Sequence, residues 1–235
     1  MLLTAPIDPT QLLRVPIPLG PDMTVDLFTA ARLDRLDPLT DLHGAILWPG
    51  ALLAGQIVAD GPSLRGLHVL SLGTGTGLCA LAAAARGATV TATDISPVAM
   101  QLCAHAAQAQ SLRMEVGHFD VSCPEPLPAA DVVIAADVLY LSELTRSIAR
   151  RVAEAEDRGS VVLLTDSRAT HRSALQAELA RRAHSSCFEP QRLTSDLSAL
   201  CDGAASSTTS VLRLGSRTTT RPARLRELQL SWGIA

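Results

Sequence analysis

The chain has 235 residues, 47% of them hydrophobic, with a formal net charge of −3 and a mean hydropathy of +0.23. That length suits one domain with a sizeable core. No run approaches the ~18 apolar residues that span a bilayer, and the negative balance argues against a nucleic-acid backbone as the main partner.

The opening Met1 to Pro9 has no basic region and is broken by Pro6 and Pro9, so it reads poorly as a signal peptide. Arg14 is its only early base, which makes a mitochondrial leader weak. A cytoplasmic location is expected, with a mitochondrial one left open. All 20 basic residues are arginine, and no lysine or asparagine occurs. Both missing residues have A-rich codons, so a GC-rich genome is the plain reading. Five scattered cysteines, Cys79, Cys103, Cys123, Cys187 and Cys201, show no C-x-x-C spacing and read as reduced thiols. The six histidines have no metal spacing. His68 reads as a strand residue and the others as surface, with His43 notable for its closeness to Trp48.

In chain order, Leu12 to Leu19 and Met23 to Phe28 flank Gly20-Pro21-Asp22, the pattern of a hairpin. Pro16 and Pro18 confine the first arm to an edge. Residues 29–45 have no firm assignment. Pro49 suits the first turn of a helix that runs to about Val58. Leu67 to Leu72 is a short buried strand, followed by Gly73-Thr74-Gly75-Thr76-Gly77 and an alanine-rich helix ended by Gly87. Thr89 to Asp94 is a β-branched strand. Ser96-Pro97 caps and opens a helix to about Gln110. Arg113 to Phe119 and Asp131 to Ala136 are further strands. Leu144 to Glu156 is a helix closed by Gly159, and Val161 to Thr165 a strand. Residues 171–184 form a helix. Phe188 to Leu193 and Ser210 to Leu214 are the last, antiparallel pair. A loop spans 195–209, and Leu225 to Leu230 is read as an added strand.

Alternating strands and helices imply right-handed crossovers in an α/β, Rossmann-like, doubly wound seven-stranded sheet. It is mostly parallel with a C-terminal antiparallel strand. Residues 1–60 form an N-terminal extension with the hairpin and helix, 61–214 the core and 215–235 a tail. Ligands of such sheets bind beyond the C-terminal strand ends. The glycine loop, Asp94, Asp120, Asp137 with Tyr140, and Asp166 all fall there.

The loop is not the dinucleotide fingerprint, because Leu78 stands where the last glycine or alanine belongs. Its G-x-G-x-G, with Asp94 ending the next strand, resembles motif I of the class I S-adenosylmethionine (SAM) methyltransferases. Two further features resemble one branch, the seven-β-strand protein-lysine methyltransferases acting on chaperones and the electron-transfer flavoprotein. These are Trp48-Pro49, about 25 residues ahead of the loop, and Asp137-Val138-Leu139-Tyr140, an Asp-x-x-Tyr motif.

The resemblance implies a SAM site of Trp48, Ser71, Gly73, Thr74, Gly75, Gly77, Asp94, Ile95, Phe119, Asp120 and Ala136. Asp94 would take the ribose hydroxyls and Asp120 the adenine amino group. Ser71 stands where the family usually has an acid, and Val121 where it usually has an aromatic. Trp48 lines the pocket or anchors the core; Phe119 flanks the adenine or packs inside. The catalytic candidates are Asp137, which positions the incoming ammonium and helps it lose a proton, and Tyr140, which shapes the channel or packs the rim. The implied activity is methylation of a lysine in a protein partner by a monomeric enzyme, without nucleic acid, membrane or metal. A small molecule or another protein atom as acceptor, and a non-catalytic SAM-fold module, are the alternatives. The absence of lysine from a lysine-modifying enzyme admits a functional reading, avoidance of self-modification, beside the genomic one.

Overall fold

A computed structural model describes residues 12–30, 42–191, 209–214 and 221–234. Leu12–Gly20 (β1) and Met23–Ala30 (β2) form a two-stranded antiparallel hairpin. Both strands are edges, which is why Pro16 and Pro18 are tolerated there. The Gln110 side chain accepts from the Asp26 N–H and donates to the Asp26 carbonyl, both at 2.8 Å, and so docks the hairpin.

The main sheet has seven strands. They are His68–Leu72 (β3), Thr89–Asp94 (β4), Met114–His118 (β5), Val132–Ala136 (β6), Val161–Asp166 (β7), Ser186–Gln191 (β8) and Thr209–Leu214 (β9). Their order is β5-β4-β3-β6-β7-β9-β8, with only β9 running against its neighbours. The order reverses between β3 and β6, and a cleft opens at such a switch point.

Six of the described helices matter here. Leu42–Ala45 (α1) and Pro49–Asp60 (α2) precede the sheet. Leu78–Ala85 (α3), Pro97–Ala109 (α4), Ser142–Asp157 (α5) and Arg172–Arg181 (α6) connect its strands. The Ser96 hydroxyl accepts the Ala99 N–H at 3.2 Å, the cap expected from Ser-Pro. One face of the sheet packs apolar residues of the hairpin, α2, α3 and α4; the other packs α5 and α6. Burial on both faces explains the near-continuous apolar runs Val132–Ala136 and Val161–Leu164.

Several expectations need correction. The segment Leu225 to Leu230 is not a strand but lies in a helix, Ala223–Ser231 (α7). Leu225, Leu228, Gln229 and Trp232 are buried at helical spacing. Arg221 fixes its start, donating to Glu156 Oε1 at 3.0 Å and to the carbonyls of Gly159 and Ser160. His184 is not a surface residue: it is 1% exposed and lies 3.5 Å from Asp157. β5 stops at His118, short of Phe119, and the helix expected over 171–184 is tightened to 172–181 after a 3₁₀ turn, Ala169–His171. The expected last strand, Phe188 to Leu193, begins earlier, at Ser186. The loop expected over 195–209 and Cys201 lie outside the described residues, apart from Thr209, which begins β9. Cys79, Cys103, Cys123 and Cys187 are free thiols.

Candidate active site

β3 delivers the chain into the glycine loop. Gly73, Gly75 and Gly77 have φ of +62°, +54° and +92°, a region that L side chains resist. A Cβ at Gly77 would sit 2.8 Å from Cys103 Sγ, so close packing as well as conformation demands glycine. The loop is tied to β4 by the Thr74 N–H, which donates to the Thr93 carbonyl at 2.9 Å. Ser71 is 2% exposed, and its hydroxyl donates to Thr74 Oγ1 at 3.2 Å. At this position the chain presents a hydroxyl inside a neutral network.

Asp94 ends β4. Its Oδ2 accepts the Gly75 N–H and its Oδ1 the Ser96 N–H, both at 2.9 Å. Burial pushes its carboxyl above the usual range, and the N–H bonds oppose that shift. Ile95 beside it is 55% exposed. Asp120 accepts from both the N–H and the hydroxyl of Ser122 at 2.7 Å, and these bonds hold its carboxyl below the usual range. Phe119 is half-buried, packed on the α5 side of the sheet, with the Arg151 guanidinium 5.1 Å from its ring centre.

Beyond β6 the backbone turns through Asp137 at φ +54°, uncommon for a residue with a side chain. Its Oδ2 accepts the Gly50 N–H at 2.5 Å, at the start of α2. Its Oδ1 accepts the Ser167 N–H at 2.6 Å, just past β7. Burial raises this carboxyl too, while the N–H bonds and the nearby Arg168 charge lower it. One carboxylate thus joins three segments. The Thr165 hydroxyl donates to the Gly50 carbonyl at 2.8 Å and strengthens the junction. Asp166, next along, is 1% exposed; burial pushes its carboxyl up to about 6 despite the Arg172 Nε–H at 2.6 Å.

Around this junction aromatic rings stack. His43 lies parallel to Trp48 at 5.9 Å and to Tyr140 at 5.6 Å between ring centres. Trp48 Nε1–H donates to the His43 carbonyl at 3.0 Å. The Arg168 guanidinium lies 4.3 Å from the Trp48 ring centre. Burial, and behind it the Asp94 charge, raises the Tyr140 hydroxyl.

A narrow cleft of about 30 Å³ runs between the glycine loop and this rim, lined among others by Trp48, Ser71, Gly73, Thr74, Gly75 and Ala136. Of the residues expected in the site, Gly77, Asp94, Ile95, Phe119, Asp120, Asp137 and Tyr140 do not line it. The cleft reaches Cys79, whose thiol is pushed up to about 12 by burial and is no nucleophile. His43, singled out only for its closeness to Trp48, stands in the middle of the stack. Arg168 was missed, since an arginine after Asp-Ser carries no signal of its own. Among the described residues, no group of three or more His, Cys, Asp or Glu is placed to hold a metal, and no helix is long and apolar enough to cross a membrane.

The comparisons point the same way as the geometry. Residues 69–159 match a family model described as a methyltransferase domain. In structure the chain is similar to the T. thermophilus 16S rRNA N2 G1207 methyltransferase RsmC, solved with AdoMet and guanosine. The TM-score is 0.58 at 15% identity, covering 89% of this chain and 52% of that one. Sheet order, glycine loop and these matches define a class I, seven-stranded methyltransferase fold. Within that class the chain resembles the protein-lysine methyltransferases. It is 31% identical over 120 residues to the Bos taurus protein-lysine methyltransferase METTL21E, covering 45% of this chain and 41% of that protein. It is 41% identical over 90 residues to the Xenopus laevis electron transfer flavoprotein beta subunit lysine methyltransferase, covering 35% and 36%. The chain spans about half the length, or less, of these curated relatives.

Proposed function

We propose that this chain is a SAM-dependent methyltransferase whose acceptor is a lysine side chain of a protein. The observation that carries the reading is the sharing of one cleft by two dissimilar walls. One wall is the glycine loop, tied to Asp94; the other is Trp48, to which Tyr140 is joined through the His43 stack and Asp137 through its bond to Gly50. The glycine loop turns at positive φ beside the cleft, and we assign Asp94 to the ribose and Asp120 to the adenine. These residues fit SAM, and Ser71 marks the one weak point, because it offers no charge to the cofactor's ammonium.

SAM supplies an electrophilic methyl group on a sulfonium. Everything else falls to the chain. The acceptor nitrogen must arrive neutral, form the N–CH₃ bond as the C–S bond breaks, and shed a proton. A carboxylate offers about four acceptor positions, and the Gly50 and Ser167 N–H groups use two of those on Asp137. We assign the remainder to an incoming ammonium. Asp137 draws the cation by charge and receives its proton, directly or through water. Trp48 and Tyr140 present flat apolar walls that exclude water and orient the chain carrying the amine. Exposed apolar residues on the same end, Ile95 at 55% and Leu141 at 58%, suit a protein acceptor better than a small molecule.

The test is transfer from methyl-tritiated SAM into a cell extract. The reading predicts acid-precipitable label that hydrolyses to methyl-lysines. Label in the soluble fraction, or in another amino acid, contradicts the acceptor.

A further inference from the structure

The pairing of Arg168 with Trp48 is the feature that the proposed reaction leaves unused. Arg168 is exposed, and its guanidinium sits 4.3 Å from the indole centre, well inside the ~6 Å reach of a cation–π contact. Its charge acts on Asp137. Among the described residues no carboxylate closes an ion pair on it. Arg168 therefore has one aromatic face and one nearby carboxylate, the two partners that recognise an alkylammonium.

The spacing is not accidental in a physical sense. Gly50, two residues after Trp48, and Ser167, one residue before Arg168, are bonded to opposite oxygens of the same Asp137. A single side chain thus sets the indole and the cation against each other. His43 and Tyr140 extend the aromatic wall from there.

We propose that the part of the Trp48 indole under Arg168 is the seat of the acceptor cation, and that Arg168 is its resident occupant. An incoming alkylammonium displaces the guanidinium and takes the same aromatic face beside Asp137. This rests on the reading above and names the subsite within it. Arginine suits the placeholder role, because its charge persists at every working pH and its delocalised cation is a poor methyl acceptor beside an amine. Exposure keeps the contact weak, so exchange with a competing cation is easy.

The probe is tetramethylammonium, with n-butylammonium beside it, titrated into the intact protein at fixed ionic strength against sodium. The readout is tryptophan emission. Subtracting the same titration of Trp48→Phe removes the contribution of the buried Trp232. Without its competitor, Arg168→Gln should bind both cations two- to fivefold more tightly, the size of an exposed cation–π contact. Arg168→Lys should lie nearer the parent. An unchanged or weaker half-saturation in Arg168→Gln, or no cation-specific signal in either protein, overturns the seat. Labelling of lysine by the same preparations separates the two claims. Methyl-lysine without a cation signal removes only the seat; a cation signal without methyl-lysine removes the lysine reading and leaves a cation site.

Discussion

Asp94 and Asp137 follow or end the two strands that flank β3, and their surroundings look alike. Each is a carboxylate raised by burial, and each accepts two backbone N–H groups. They differ in how far the chain travels to supply those groups. The partners of Asp94 are 19 and 2 residues away, within one strand-loop-helix-strand unit. The partners of Asp137 are 87 and 30 residues away, on the N-terminal extension and past β7. The first is a local fastening; the second locks three distant segments into one rim. Removing either tests a different thing.

The largest effect is expected on the local side. Gly75→Val forces a β-branched residue into φ +54° and narrows the approach to the loop. SAM affinity should fall by more than ~100-fold, as measured by calorimetric titration of the folded variant. Retained binding would mean that no ligand approaches this backbone.

Truncation at the remote fastening comes next. Asp137→Ala leaves the Gly50 and Ser167 N–H groups without their acceptor. With each N–H left unpaired costing about 1–3 kcal/mol, denaturant unfolding should show a loss of about 2–6 kcal/mol. A loss under ~1 kcal/mol would show that the junction holds without it.

Asp94→Ala bears on the cofactor contact. Its expected cost in SAM affinity is about 1.5–3 kcal/mol, the value of hydrogen bonds to a charged group. Unchanged affinity would remove Asp94 from the cofactor contact.

That contrast also explains what was legible in the sequence. The glycine loop, Asp94, the Ser96 cap and every strand of the core sheet are written in short-range patterns, and a local pattern forces a local structure. The Trp48–His43–Tyr140 stack is not written that way. Its members come from residues 43–48 and 140, and only tertiary packing brings them together. Asp137 was readable as a rim carboxylate, but its bonds to Gly50 and Ser167 were not, since nothing near it in sequence names those partners. The misread tail makes the same point from the other side. Six residues of Leu225 to Leu230 are too few to separate period 2 from period 3.6, and the burial of Trp232 decides for a helix.

The smallest expected effect lies one residue behind the rim. Asp166 should titrate near 6 in the folded protein, against 3.8 as its ordinary value. A raised carboxyl favours the folded state fully below about 3.8 and loses that contribution as pH rises through about 6. Acidification from pH 7 to 5 should therefore add stability through this group. Arg172, which lowers the value, gives the check: Arg172→Gln should move the Asp166 midpoint upward in a carbon-13 carboxyl titration. A midpoint near 4 in the parent would contradict the burial argument.

The central claim is that the local wall holds the cofactor while the remote rim serves the acceptor. Asp137→Asn separates them most directly, since it keeps the size of the side chain and one backbone acceptor but removes the charge. SAM affinity, by calorimetry, should be preserved, while methyl transfer to the labelled protein substrate falls by at least ~100-fold, the lower end of acid–base contributions. Normal transfer by the Asn variant, or loss of SAM binding instead, would contradict the assignment of Asp137 to the acceptor.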